Sequence, residues 1–209
     1  MDAPVRSATR NTAAPRAWQR MLSGRRLDLL DPSPLDVEIS DIAHGLARVA
    51  RWNGQTIGDH AFSVAQHSLL VEEVARLVTP SLNEQDCLSV LLHDAPEYVI
   101  GDMISPFKAV IGESYKSVEA RLMTAIRLRF GLTAAPTQTL RQKIKAADRI
   151  AAYYEATKLA GFEINEARAF FGKPHPKVAL AKLDHLLAPM STRACETEFL
   201  ARFSSLCPD

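Results

Sequence analysis

The sequence predicts an all-α protein, a bundle of helices packed around one core. Three observations lead there. Apolar residues recur at the three- and four-residue spacing of a helix through most of the chain, no segment alternates apolar with polar residues as a half-buried strand does, and Gly131, Pro136 and Gly161 punctuate the periodic stretches.

Taken in order, residues 1–22 read as a loose N-terminal arm. Residues 1–16 mix Pro, Ala, Ser, Asn and Arg without periodicity, and a short helix is expected around Trp18 to Leu22. Pro32, Pro34 and several aspartates then make an irregular, surface-hugging segment. Helical patterning begins after Ser40, with Ile42, Leu46 and Val49 facing inward, and recurs over 60–78, 84–94, 114–130, 137–160 and 190–206. Gly131 closes one of these helices, Pro136 opens the next near its first turn, and Gly161 ends it. Short helices are expected over 162–170 and 176–187, parted by Gly172-Lys173-Pro174. No repeat, low-complexity tract or linker divides the chain, so 23–209 is expected to form one domain.

Composition bounds the function. A chain of 209 residues can bury a core without disulfides or a structural metal. With 47% hydrophobic residues and a net charge of +1, it is neither disordered in character nor basic enough to favour a nucleic-acid polymer as partner. Cys87, Cys195 and Cys207 are odd in number and form no CxxC pair, which argues against a disulfide framework or thiolate zinc site. No apolar stretch approaches the roughly 20 residues that span a bilayer, and Met1 to Arg20 lacks an apolar signal core. A soluble, reduced, cytoplasmic setting is expected, with no membrane partner.

The chemistry centres on His93-Asp94, two adjacent metal-capable side chains at the end of the apolar run Cys87 to Leu92. Buried His and Asp are costly unless paired, and a divalent cation suits an imidazole nitrogen and a carboxylate oxygen together. His67 shares its helical face with Val64, Leu70, Val71 and Val74, and Asp148 shares one with Ile144, Ala147 and Ala151. Each has a plain alternative: His67 as a core histidine bonded to a carbonyl, Asp148 as a buried partner for an arginine. Jointly, two His and two Asp at inward or helix-end positions point to one ion. Neighbouring helical residues diverge by about 100°, so His93 and Asp94 can share it only if the backbone turns there, and Pro96 supplies the turn. The ligand set suits one divalent transition-metal ion (zinc, manganese, iron, cobalt or nickel) better than calcium or magnesium.

Three strings carry a resemblance: Val64-Ala65-Gln66-His67-Ser68, Leu91-Leu92-His93-Asp94-Ala95-Pro96-Glu97-Tyr98-Val99-Ile100-Gly101-Asp102, and Ala146-Ala147-Asp148. Together they resemble the HD superfamily of metal-dependent phosphohydrolases, and within it the bacterial 5′-deoxynucleotidase branch. The resemblance covers about residues 23 to 160. It implies an HD-domain helical bundle with a single metal site in the core, a small nucleotide substrate, and commonly a dimer. The C-terminal helix with Phe199, Leu200 and Phe203 could pack at home or on a partner.

The resemblance further implies that Glu97 and Asp102 orient water and handle protons, and that Arg51 and Lys108 meet the substrate phosphate. Arg48 is the alternative for the Arg51 role. Glu97 could instead be a helix-start carboxylate and Asp102 an N-cap for a helix from Met103 to Val110. Trp52 could press its ring where a 2′-hydroxyl would lie, which rejects ribose, or be ordinary core packing. The expected reaction is removal of phosphate from a deoxynucleoside 5′-monophosphate. Because Arg51-Trp52-Asn53-Gly54-Gln55-Thr56 is closer to the branch that includes deoxynucleoside triphosphate hydrolases, that activity is the runner-up, and a non-catalytic metal-bearing nucleotide sensor is the alternative from another class. The alarmone-hydrolysing branch resembles an HDxxED arrangement, whereas Glu97 is followed here by Tyr98.

Overall fold

The computed structural model of the chain describes residues 17–103, 110 and 112–207. Of the expected features, residues 1–16 of the arm, Lys108 and most of the Met103 to Val110 helix lie outside these. Among the described residues the regular structure is helical apart from one hairpin. In chain order the elements are strands β1 (Trp18–Arg20) and β2 (Arg26–Asp28), then helices α1 (Ile39–Leu46), α2 (Val64–Val78), α3 (Glu84–Leu91), α4 (Glu97–Ile100), α5 (Glu113–Arg129), α6 (Gln138–Lys158), α7 (Ile164–Phe171), α8 (Asp184–Leu187) and α9 (Thr192–Leu206). The expected all-α bundle is therefore present.

The hairpin corrects the expectation of a short helix around Trp18 to Leu22. Its strands pair antiparallel, Gln19 opposite Leu27, and Gly24 makes the turn at φ +91°, a conformation that favours glycine. Three-residue strands are too short to display an alternating pattern. What holds them is tertiary: Leu27 is fully buried, the Arg26 guanidinium lies 4.5 Å from the Trp18 ring centroid, and both Ser23 N and Ser23 Oγ donate to the Asp41 carboxylate on α1.

α2 runs through the centre and packs against α1, α3, α6, α8 and α9. Ser63 caps it by accepting from Gln66 N at 3.3 Å, so the helix starts at Val64 rather than at residue 60. One side of α2 meets Ile42, Leu46, Leu91, Leu122, Ile126 and Phe199; the other meets Val90, Ala147, Ala151, Tyr154 and Leu183. Burying each larger apolar side chain stabilises the bundle by about 1.5–3 kcal/mol. A helix enclosed on all sides must satisfy its polar residues internally. Gln66 Nε2 donates to the carbonyls of Leu186 and Ala188, and Glu72 accepts two bonds from Arg202. Phe199 and Phe203 of α9 pack at home, the latter against the Phe130 ring.

The expected helix over 176–187 is instead a 3-10 turn at Leu180–Lys182 followed by the single turn of α8. Ala179 is extended, at φ −81° and ψ 133°, so no helix continues from Pro176 into Leu180. The carbonyl of Val178, which accepts from the Tyr154 hydroxyl at 2.7 Å, lies before that 3-10 turn.

α3 ends at Leu91, and His93 to Pro96 form the turn into α4, with Glu97 N donating to Asp94 O at 3.0 Å. α1 packs directly on α4 through Gly45, where a Cβ would come within 2.7 Å of Tyr98 O and 2.8 Å of Tyr98 Cβ. Those neighbours are backbone and its first carbon, so they cannot swing aside. Gly45→Ala should destabilise the fold by about 1–3 kcal/mol in urea unfolding and reduce activity, because α4 begins with Glu97. Wild-type stability would mean that the two helices separate freely.

Candidate metal centre

His67 is fully buried in α2, His93 and Asp94 stand on the turn after α3, and Asp148 projects from α6. These elements converge. His67 Nε2 lies 3.4 Å from Asp148 Oδ1 and 3.5 Å from Asp94 Oδ2, while His93 Nε2 lies 3.2 Å from the same Asp94 oxygen. One donor atom each from His67, His93 and Asp148 fall within 4.8 Å of one another, a cluster that could hold a metal ion. Neighbouring donors about 2.1 Å from a shared ion stand roughly 3.0–3.4 Å apart, close to the spacing found here.

The histidines fit such an ion by a second criterion. Both Nε2 atoms are buried without a hydrogen bond, although carboxylate oxygens stand nearby. Each ring is held by its other nitrogen: His93 Nδ1 donates to Val90 O at 2.9 Å, and His67 Nδ1 to Glu155 Oε1 at 2.5 Å. A carbonyl or an ionised carboxylate only accepts, so the proton belongs on Nδ1 and the Nε2 lone pair faces the centre. Both aspartates are partly solvent-exposed, which opens the centre on their side, with His67 as its floor.

Charge is concentrated here. Burial pushes the Asp94 carboxyl up, but His93 and His67 outweigh it and hold it well below the usual range. Without an ion, burial and the neighbouring Arg51 charge push His67 down, yet Glu155, Asp148 and Asp94 together raise it well above an ordinary histidine, so a metal would take the Nε2 lone pair by displacing a second proton. Glu155 is raised by burial and lowered more by His67, Arg51 and Trp52, ending at about 2. Arg51 resists deprotonation further than usual: burial works against its charge, and Glu155, Asp102, Asp94 and Asp148 restore it.

Of the other expected site residues, Arg51 Nη1 donates to Asp102 Oδ2 at 3.1 Å and Nη2 lies 3.6 Å from Glu155 Oε2, while Arg51 Nε is buried without a hydrogen bond. Arg48 is engaged elsewhere, with Glu196 of α9 at 2.9 Å and the His44 carbonyl at 2.7 Å. Asp102 is thus a partner of Arg51. Glu97 is buried in the first turn of α4, three residues past Asp94. Trp52 has φ +56°, a left-handed backbone uncommon for a bulky residue, and costly unless the surroundings impose it. Its ring packs against Phe162 and Phe171 at 5.5 and 5.8 Å between centroids, and its Nε1 donates to Glu155 Oε2 at 2.9 Å. His44 faces Glu196, and His60 is exposed.

Glu155 is the residue that the sequence reading missed. It stands seven positions after Asp148 on α6, with Ala151 and Ala152 between, so the helical phase that turned Asp148 inward turns Glu155 inward too.

A helical bundle whose separate elements bring His67, His93 and Asp148 together, with Asp94 3.2 Å and 3.5 Å from the two imidazoles, in the order His, His-Asp, Asp, has the pattern of the HD class of proteins. A match to the family described as YfbR-like 5′-deoxynucleotidase spans residues 41–185. The chain belongs to that family. It is similar, at 57% identity over 87% of this chain and 93% of the relative, to an uncharacterized protein of Rhodobacter capsulatus. It is also similar, at 31% identity over 46% of this chain and 49% of the relative, to the uncharacterized protein YfdR of Escherichia coli. The family points to hydrolase chemistry on a small nucleotide, and no helix among the described residues is long and apolar enough to cross a membrane.

Proposed function

We propose that the chain is a metal-dependent 5′-deoxynucleotidase, releasing inorganic phosphate from deoxynucleoside 5′-monophosphates. The observation that carries this reading is the pair of buried imidazole Nε2 atoms, each with its Nδ1 proton already committed, facing the carboxylates of Asp94 and Asp148. His67, His93, Asp94 and Asp148 would hold one divalent transition-metal ion. When bound, such an ion lowers the pKa of water from about 15.7 toward 7 and offsets charge on phosphoryl oxygens.

The protein's own residues do the rest. Glu97, enclosed at the start of α4, takes the proton of the attacking water and returns it to the departing 5′-oxygen. Arg51, steadied by Asp102, offers its unbonded Nε–H to a phosphate oxygen. Lys108 joins it, as the family resemblance implies. Trp52 excludes a 2′-hydroxyl by leaving it without a hydrogen-bond partner. The enzyme acts on free nucleotides in the cytoplasm as a homodimer.

A panel of mono-, di- and triphosphates of both sugars, with Mn²⁺ or Co²⁺ and with products identified, tests this reading. Phosphate from deoxynucleoside monophosphates is expected. Pyrophosphate or triphosphate release would assign a deoxynucleoside triphosphate hydrolase instead, and metal binding without turnover a sensor. In the same assay Trp52→Ala should lower the deoxy-to-ribo preference by about tenfold or more. An unchanged ratio would move that selectivity elsewhere.

A further inference from the structure

The roles above leave Glu155 without one, although its carboxylate is fully buried at the centre of the network. Its two oxygens serve donors from different parts of the chain: Oε1 accepts from His67 Nδ1 at 2.5 Å, and Oε2 accepts from Trp52 Nε1 at 2.9 Å. Arg51 Nη2 stands 3.6 Å from Oε2 as well. We propose that Glu155 is a positioning residue whose two acceptor oxygens lock the His67 tautomer that can bind metal and at the same time seat the Trp52 indole, so that one side chain holds the metal side and the sugar side of the site together. This rests on the metal-dependent reading proposed above.

Hydrogen-bond direction decides what each contact of Glu155 requires. An imidazole protonated at Nδ1 presents a lone pair at Nε2; the other tautomer presents an N–H there and cannot ligate. An indole Nε1 only donates. Both contacts of Glu155 therefore require an acceptor, and a carboxylate is the side chain of that size with an acceptor at each end. Glutamine offers one oxygen and one NH2. If its oxygen faces Trp52, the NH2 faces His67 Nδ1 and drives the ring proton to Nε2. If its oxygen faces His67, the NH2 meets the indole N–H, donor against donor, and Trp52 must leave its seat between Phe162 and Phe171. The left-handed backbone at Trp52 and Asn53, φ +56° and +51°, depends on contacts that hold it, and the Glu155 bond is one of them.

Co²⁺ binding to the full-length protein, followed by calorimetry and by the visible spectrum of the ion, tests the inference. Glu155→Gln should bind Co²⁺ about 10- to 100-fold more weakly than wild type, the loss typical when the partner of a ligating histidine is removed. Trp52→Phe, which deletes the indole N–H, should bind Co²⁺ as wild type does. Combined, the two substitutions should recover most of the affinity lost in Glu155→Gln, because the introduced amide can then turn its oxygen to His67. Losses that simply add, or wild-type affinity in Glu155→Gln, would overturn the inference while leaving the metal-dependent reading standing. A wild-type protein that takes up no Co²⁺ would remove both. The unmutated protein provides a check independent of how the variants fold: in the Zn²⁺-loaded, 15N-labelled form, the His67 ring proton should be on Nδ1, and a proton on Nε2 overturns the inference.

Discussion

Asp148→Ala and His67→Ala should each give a protein that keeps its helices but neither retains a metal ion nor hydrolyses nucleotides. The two differ in what else they disturb. Asp148 is partly exposed on α6, so its removal takes away one carboxylate 3.4 Å from His67 Nε2 and leaves α6 anchored through Ala147, Ala151 and Tyr154. His67 is fully enclosed, and its loss opens a cavity and takes one of the Glu155 hydrogen bonds. Asp148→Ala is the cleaner substitution and His67→Ala the more destabilising. Metal affinity should fall by more than the roughly 10- to 100-fold typical of outer partners, since a ligand itself is gone. Elemental analysis after dialysis, beside circular dichroism, reads both quantities. A variant with full metal occupancy would remove that residue from the ligand set.

Glu97→Ala should separate metal binding from turnover. The carboxylate is buried at the start of α4, in the turn that also carries His93 and Asp94, and no ligand role is assigned to it. With the ion retained, kcat on a deoxynucleoside monophosphate should drop by about 10² or more, as expected when a proton-transfer group is lost. Near-normal turnover would leave Glu97 as a carboxylate favoured by the positive end of a short helix. Loss of the metal together with the rate would make it a ligand rather than a proton carrier.

The helices are legible in the sequence because their apolar period reports burial directly, and His67 and Asp148 stand out because each interrupts an apolar face. The hairpin at Trp18–Asp28 is not, since its stability comes from Asp41 and the core beneath Leu27 rather than from any local pattern. The segment after Gly172 misleads for a related reason: the Val178 carbonyl is bound by the Tyr154 hydroxyl and Ala179 is extended, a tertiary contact and a backbone break that helical composition does not report. Within the site, helical phase exposes Glu155 once it is followed two turns past Asp148 along α6. The Arg51–Asp102 and Trp52–Glu155 pairings lie beyond reach, because their members are separated by 51 and 103 residues, and no periodicity spans such gaps. Trp52 reads from sequence as either core packing or a sugar-facing ring; its contacts with Phe162 and Phe171 and its bond to Glu155 put it at the border of both.

The most direct measurement is anomalous diffraction from crystals of the wild-type protein loaded with Zn²⁺ or Co²⁺. One strong peak should lie about 2.0–2.2 Å from His67 Nε2, His93 Nε2 and carboxylate oxygens of Asp94 and Asp148. A peak bonded to other residues, or no peak among these four in a protein that carries the metal, would contradict the account.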